Sequence, residues 1–325
     1  MKENKTLLPL VAIVGPTAAG KSALGVKLAE RLGGEVVACD STQLYGGFDI
    51  GTAKPARSER RGIPHHLIDV LGPKDEATAG GYRQLALRIL GDLRERKRKR
   101  LPVFTVGTGL YLRTLLEGLA DVPQRSEKLR ERLRARVEEH SPGHLHRVLK
   151  RLDPEAAGKI APADEQKLIR AIEVCLLTSK PISEVHRTGR VPLEGWRVLK
   201  VGLMPPREKL NEHIHARTDA MLEQGWMREV QALLESGLSE DAKPFDFIGY
   251  RELLAVLRGE MTSEQARAAI QQATRRYAKR QLTWFCKEPG VRWFSGFGDD
   301  AGVQAAALEW LQAEGLDRSS FTRAD

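Results

Sequence analysis

Residues 15–22, Gly15-Pro16-Thr17-Ala18-Ala19-Gly20-Lys21-Ser22, have the spacing G-x-x-x-x-G-K-[ST]. Glycines at those positions let successive backbone N–H groups turn toward one point and cradle phosphate oxygens. A helix that starts there adds the positive end of its dipole. Lys21 supplies a point charge to the distal phosphate, and Ser22 is placed to ligate Mg²⁺. The pattern specifies a polyphosphate rather than a nucleotide. ATP-hydrolysing P-loop enzymes add an acid at the end of a neighbouring strand. Here the apolar run ending at Val106 passes straight into Gly107-Thr108-Gly109, and only Asp69, in a weaker strand, offers a carboxylate. The phosphates expected there therefore need not be those of ATP.

A second reactive group follows. The run Glu35 to Cys39 ends in Asp40-Ser41-Thr42-Gln43-Leu44-Tyr45. In an α/β sheet a carboxylate at a strand's C-terminal end opens on the ligand crevice, although a lone aspartate there also reads as a turn or cap residue. The elements that must place these groups are legible. Leu8 to Val14 is a buried strand, and Leu24, Leu28 and Leu32 mark an amphipathic helix stopped by Gly33-Gly34. His66 to Val70 is a third strand, Tyr82, Leu85, Ile89 and Leu93 give a helix, and Pro102 to Val106 is another strand before a helix through Leu112, Leu115 and Leu116. That order opens a parallel α/β sheet.

The texture changes after Leu119. Prolines 123, 142, 154, 162 and 181 cut the chain into short helices, one carrying Leu129, Leu133 and Val137, another Leu168, Ile172 and Leu176. Strand character returns at Trp196 to Leu203. Helices are expected at about 206–224, 226–236, 249–258 and 263–286, and Val291 to Phe294 is a last short strand. The expected fold class is α/β: a P-loop parallel-sheet core over 1–119 and 195–315, an inserted small helical domain over 120–194, a helical C-terminal part, and a loose tail over 316–325.

The chain of 325 residues is 41% hydrophobic and 29% charged, as in a soluble globular protein with a real core. The apolar run Leu7 to Val14 has eight residues, too few to span a bilayer, so no membrane segment or secretory signal is expected and a cytoplasmic location is. Cys39, Cys175 and Cys286 are isolated, which argues against a zinc site or a disulfide framework. The formal charge of +9 favours an anionic partner such as nucleic acid. It is concentrated: residues 125–151 carry nine Lys/Arg against four Glu, and residues 270–287 hold five Lys/Arg and no acid. The run Arg94 to Arg100 reads as a solvated helix end. No apolar stripe demands a dimer, so a monomer is expected.

Taken in order, the P-loop, the Asp40–Tyr45 string, Asp49-Ile50-Gly51-Thr52-Ala53-Lys54-Pro55, His65-His66-Leu67-Ile68-Asp69, Gly107-Thr108-Gly109-Leu110-Tyr111-Leu112, Phe247-Ile248-Gly249-Tyr250-Arg251-Glu252 and Tyr277-Ala278-Lys279-Arg280-Gln281-Leu282-Thr283-Trp284-Phe285 resemble the tRNA dimethylallyltransferase family, also called tRNA isopentenyltransferase. The resemblance covers about residues 10 to 295. One position departs from the family pattern: Val106 stands where a glycine is usual. The resemblance implies transfer of a dimethylallyl group from dimethylallyl diphosphate to N6 of the adenine just 3′ of the anticodon.

It also implies residue roles. Asp40 takes a proton from the attacking amine. Thr108 bonds the bridging oxygen or the base, and Arg217 reaches the phosphates. The loop from Gly15 to Ser22 binds the diphosphate with Lys54, and Mg²⁺ sits on Ser22. The anticodon stem-loop is met by Ser41, Thr42, Gln43, Tyr250, Arg251, Lys279, Arg280 and Gln281, and by Arg130, Gln166, Lys167, Leu168, Ile169 and Arg170 of the inserted domain. Two other classes stay open on the residues alone: a P-loop kinase with a small acceptor, and a non-catalytic RNA-binding P-loop switch.

Overall fold

The computed structural model describes residues 7–96, 99–120, 122–123, 125–139, 142–187 and 190–317. The chain divides into two compact units, one of residues 1–115 with 194–325 and one of residues 116–193.

The larger unit is built on β1 (Leu8–Val14), α1 (Lys21–Leu32), β2 (Gly34–Cys39), β3 (His65–His66), α2 (Ala79–Glu95), β4 (Leu101–Val106) and α3 (Gly109–Glu117). All strand pairings are parallel, in the order β3-β2-β4-β1, and β5 (Trp196–Leu203) and β6 (Val291–Phe294) extend the sheet beyond β1 to six strands. The inner strands are apolar on both faces because helices cover both. Leu10 to Val14 on β1 are wholly buried, and Leu24, Leu28 and Leu32 of α1 pack on them with Val36 and Val103. The C-terminal ends of β1, β2 and β4 therefore come out together, at residues 14, 39 and 106.

The third strand is shorter than the expected His66 to Val70. Leu67 and Asp69 both take left-handed backbone (φ 61° and 58°), which bends the chain off the sheet after His66. The following segment runs beside the Asp40–Tyr45 turn, with a bridge between Tyr45 and Leu71. In the basic run at 94–100, Lys97 and Arg98 lie outside the described residues. Arg96 reaches back to the buried carboxylate of Glu35 (2.7 Å), which also meets His66 Nε2 at 2.7 Å. The tail expected over 316–325 lies almost wholly outside the described residues.

The second unit is helical: α4 (Glu127–Glu139), α5 (His144–Leu152), α6 (Pro154–Lys159), α7 (Glu165–Thr178) and α8 (Ile182–Arg187). Its own core holds Leu133, Leu145, Leu149, Leu168, Ile169, Ile172 and Val185. Glu173, fully buried on α7, accepts the Ser126 amide (2.7 Å) at the start of α4 and a guanidinium bond from Arg170 (2.6 Å), so a charge network fixes α7 against α4.

The chain then re-enters the larger unit with β5 (Trp196–Leu203), α9 (Arg207–Glu223), α10 (Trp226–Glu235), α11 (Tyr250–Leu257), the 23-residue α12 (Ser263–Phe285), β6 (Val291–Phe294) and α13 (Ala301–Ala313). Thr262 and Gln265 form a capping box that starts α12. No helix among the described residues is long and apolar enough to cross a membrane.

Leu28→Ala should cost about 2–5 kcal/mol, a large part of the stability of a domain this size. Urea titration should show a lower midpoint with an unchanged slope.

Candidate active site

The loop between β1 and α1 takes backbone that only its sequence allows. Gly15 (φ 145°) and Gly20 (φ 80°) sit in regions that side chains avoid. A Cβ on Gly15 would lie 2.8 Å from the Leu203 carbonyl oxygen, and one on Gly20 would lie 2.7 Å from the Gly298 nitrogen. The loop is thus wedged between β5 and the turn after β6. Lys21 folds back over it, donating to the carbonyls of Gly15 (3.0 Å) and Pro16 (2.8 Å). Lys21 is half-buried. Burial lowers its pKa to about 8, against the pull of Asp40 in the other direction, and Arg217 lowers it further. A cation kept short of anionic company in this way is poised to receive a diphosphate.

Asp40 lies just past β2, and β4 runs between β2 and the P-loop strand. Its Oδ1 accepts from the Thr42 amide (2.9 Å) and hydroxyl (2.8 Å). Its Oδ2 lies so close to Gly107 that any Cβ there would collide with it. Val106, in contrast, is an ordinary buried strand residue paired with Cys39. The departure from the family pattern therefore falls one residue before the position where the carboxylate needs glycine.

Thr108 anchors the adjoining turn. Its Oγ1 accepts from the Ser41 amide (3.0 Å) and donates to Ser41 Oγ (3.2 Å).

Gln281 on α12 joins the two halves. Its Oε1 accepts from Thr17 N (2.7 Å) and its Nε2 donates to Gly107 O (2.7 Å), with the residue only 6% exposed. Tyr277, one turn earlier, donates to Gly107 O (3.2 Å). Burial first, and then Asp40, raise the Tyr277 pKa, so the phenol stays protonated.

Thr17, Ala18, Asp40, Ser41, Thr42 and Arg217 border one cavity of about 340 Å³ with apolar walls from Ile214, Met221, Phe247, Ile248 and Ile270. Arg217, Met221 and Ala53 also border a larger cleft of about 1020 Å³ that reaches Ser22 and carries Lys27, Arg57, Arg60 and Arg61. Arg217 therefore stands where the two meet.

Several residues expected at the interface with RNA have other work. Tyr250 is 0% exposed and its ring is packed edge-on against Phe48 and Trp226, so it presents no face to a base. Leu168 and Ile169 are core residues of the helical unit, and Arg170 is engaged by Glu173 and by the Pro123 carbonyl (2.9 Å). Gln281 is the buried brace just described. Gln43 turns its Nε2 to the carbonyls of Thr52 and Ala53, both at 3.4 Å.

Lys54, expected on the diphosphate, borders the cleft that reaches Ser22, with its ammonium held against Asp49 (2.8 Å), Asp69 and the Tyr45 carbonyl. Arg251, Gln166, Lys167, Lys279 and Arg280 are exposed, and Arg130 is mostly covered beside Glu127 (3.6 Å). Sequence reading missed Tyr277, whose position one turn before Gln281 on a helix was an available signal.

A P-loop and a carboxylate that border one small cavity, on a parallel sheet with a helical insertion, place the chain in the P-loop α/β class. The chain belongs to the IPP transferase family, whose model matches residues 43–288, and a related model, isopentenyl transferase, matches residues 8–69. It is 51% identical over 303 residues to a tRNA dimethylallyltransferase of Koribacter versatilis (93% of this chain, 98% of the relative) and 47% identical over 302 residues to one of Solibacter usitatus (93% and 97%). Among solved structures it is similar to the tRNA isopentenylpyrophosphate transferase of Bacillus halodurans (TM-score 0.69, 36% identity, 94% of this chain and 96% of that one). It is also similar to a eukaryotic dimethylallyltransferase captured acting on tRNA (TM-score 0.79, 26% identity, 95% and 80%).

Because the Lys21 ammonium loses its proton near pH 8, its attraction for an anion is complete below that pH and fades above it. Calorimetric titration with inorganic diphosphate should show affinity falling from pH 7 to 9.5 relative to Lys21→Arg, which keeps its charge. Gly107→Ala should abolish turnover by displacing the Asp40 carboxylate, with little change in the circular dichroism spectrum.

Proposed function

We propose that the chain transfers a dimethylallyl group from dimethylallyl diphosphate to N6 of the adenosine 3′-adjacent to the anticodon, position 37 of tRNA, and releases diphosphate. The observation that carries this reading is the shared cavity: P-loop residues Thr17 and Ala18 border the same space as Asp40, with Arg217 joining it to the cleft at Ser22. A phosphate cradle at one wall and a carboxylate at another suit a reaction in which an anion leaves while an amine gains positive charge.

The exocyclic amine of adenine is a weak nucleophile, its lone pair being delocalised into the ring. As the N6–C1 bond forms, the C1–O bond breaks and its electron pair leaves with diphosphate. Asp40 takes the N6 proton, held in position by Thr42 and by the close approach of Gly107. Loop amides, Lys21 and Arg217 meet the charge of the leaving group. The apolar walls keep water from the allylic carbon. Thr108 acts through Ser41, setting the turn that carries Asp40.

Ser22 would hold Mg²⁺. Among the described residues no group of three or more His, Cys, Asp or Glu could hold a metal. The exposed Ser22 hydroxyl at the cleft fits an ion whose other ligands are diphosphate oxygens and water, and bound there it would neutralise leaving-group charge.

The adenine must leave the anticodon stack to enter such a cavity. Arg251, Lys279 and Arg280, and in the helical unit Arg130, Gln166 and Lys167, supply the charge and polar contacts for the RNA, and Ser41 and Thr42 border the space for the base. The protein acts as a cytoplasmic monomer in this reading. The kinase alternative needs a nucleoside triphosphate and an acceptor pocket. Incubation with labelled ATP or labelled dimethylallyl diphosphate, with and without tRNA, separates the two.

Asp40→Ala should slow the single-turnover step by about 10²–10⁴-fold while tRNA affinity stays within a few-fold. Weakened binding with undiminished turnover on bound tRNA would overturn the role of Asp40. Affinity for an anticodon stem-loop should fall steeply between about 50 and 200 mM salt, as expected when several phosphates are neutralised.

A further inference from the structure

The segment from Asp49 to Lys54 forms one wall of the Asp40 cavity, through Gly51, Thr52 and Ala53, yet it belongs to no helix or strand. Something else must fix it. Three successive amides of this loop point at one carboxylate, that of Glu229 on α10, which lies about 180 residues away in sequence. Asp49 N donates to Glu229 Oε2 at 3.0 Å, Ile50 N to the same oxygen at 2.8 Å, and Gly51 N to Oε1 at 3.4 Å. The Tyr250 hydroxyl donates to Oε1 at 2.5 Å and accepts from Gly51 N at 3.1 Å. Burial, and then Glu229, push the Tyr250 pKa up, so the phenol remains a donor. Consecutive backbone N–H groups curled round an anion form a nest. Here the anion is supplied by the protein itself.

The other end of the loop is closed by Lys54, whose side chain is 3% exposed between Asp49 and Asp69. Between the two anchors the backbone is under constraint. Ala53 is left-handed (φ 53°), and Gly51 lies so close to Trp226 and Tyr250 that a side chain there would collide with both rings.

We infer that Glu229 is a positioning residue for the transfer reaction: by filling the amide nest at 49–51 it holds the Gly51–Ala53 wall at the distance from Asp40 that the reacting base and donor require. Glu229 is absent from the cavity lining, so it acts only through the loop. This inference rests on dimethylallyl transfer as the reaction. A displacement of about 1 Å in a wall that aligns two reactants costs up to about 100-fold in rate.

The test uses full-length Glu229→Ala, Glu229→Gln and Tyr250→Phe with a tRNA substrate and dimethylallyl diphosphate. Single-turnover rates are measured on tRNA already bound, and amide hydrogen exchange is followed across the chain. Glu229→Ala should lower the rate at least about tenfold and raise exchange in the peptide spanning 46–55, while α11 and the β-strands keep their protection. Glu229→Gln, which retains an acceptor oxygen of the same reach, should recover a substantial part of the rate, and Tyr250→Phe should lie between it and wild type. Faster exchange at 46–55 with an unchanged rate would overturn the inference. A rate loss that comes with loss of protection throughout the larger unit, and that glutamine does not rescue, would also overturn it by reducing Glu229 to a stability role. If the wild-type protein itself forms no prenylated tRNA, the reaction assignment fails instead, and the two failures are distinguishable.

Discussion

One buried amide governs the geometry on which everything else depends. Gln281 takes the Thr17 N–H on its oxygen and gives its own N–H to the Gly107 carbonyl, both at 2.7 Å. The first contact fixes the phosphate loop and the second fixes the turn against which Asp40 leans. With β4 running between β1 and β2, neighbouring-strand pairing alone does not link the loop to the carboxylate. A side chain on α12 does so. A buried amide with both ends satisfied is stable, whereas one with an end left open costs about 1–3 kcal/mol, so the two partners are held in a single relation before any substrate arrives.

The same preorganisation recurs around the cavity in a second form, as close approach. Gly107 admits the Asp40 carboxylate and Gly51 admits the Trp226 and Tyr250 rings. Gly249, with φ 95°, lies under Trp226 where no side chain fits. Behind the 49–54 loop, Tyr45, Phe48, Phe247, Tyr250 and Trp226 pack edge to face with centroids 5.0–6.4 Å apart. That aromatic floor, rather than a strand or helix, gives an irregular segment a unique position. Charge completes it, with Glu229 at one end of the loop and Lys54 at the other.

The cations Lys21 and Arg217 and the anion Asp40 lie around one site without a direct ion pair among them. Lys21 is satisfied by its own loop's carbonyls and Asp40 by Thr42. Each charge is solvated by the protein but not cancelled by the other. That separation leaves both available to substrate, and it explains why burial rather than pairing dominates the environment of Lys21.

Much of this was legible in the residues. The strand–loop–helix opening, the helical texture between 120 and 194, the four helices between 206 and 286 and the P-loop follow from apolar period, glycine and proline position, which are local properties of the chain; the last helix, α13, was not among the expected elements. Asp40 was legible because a strand's end is a local fact and such ends face the crevice. What the residues left undetermined depends on contacts distant in sequence. Lys54 reads as a phosphate ligand or as a surface lysine until Asp49 and Asp69 are seen beside it, and Tyr250 reads as a stacking residue until Phe48 and Trp226 enclose it. Leu168 and Ile169 carry a helix period that does not say which face meets a core. Glu229 carries no signal at all, since its role exists only once the chain brings α10 to the loop at 49–51. Local chemistry named the reactive groups; only tertiary packing decided which of them face the cavity and which hold it open.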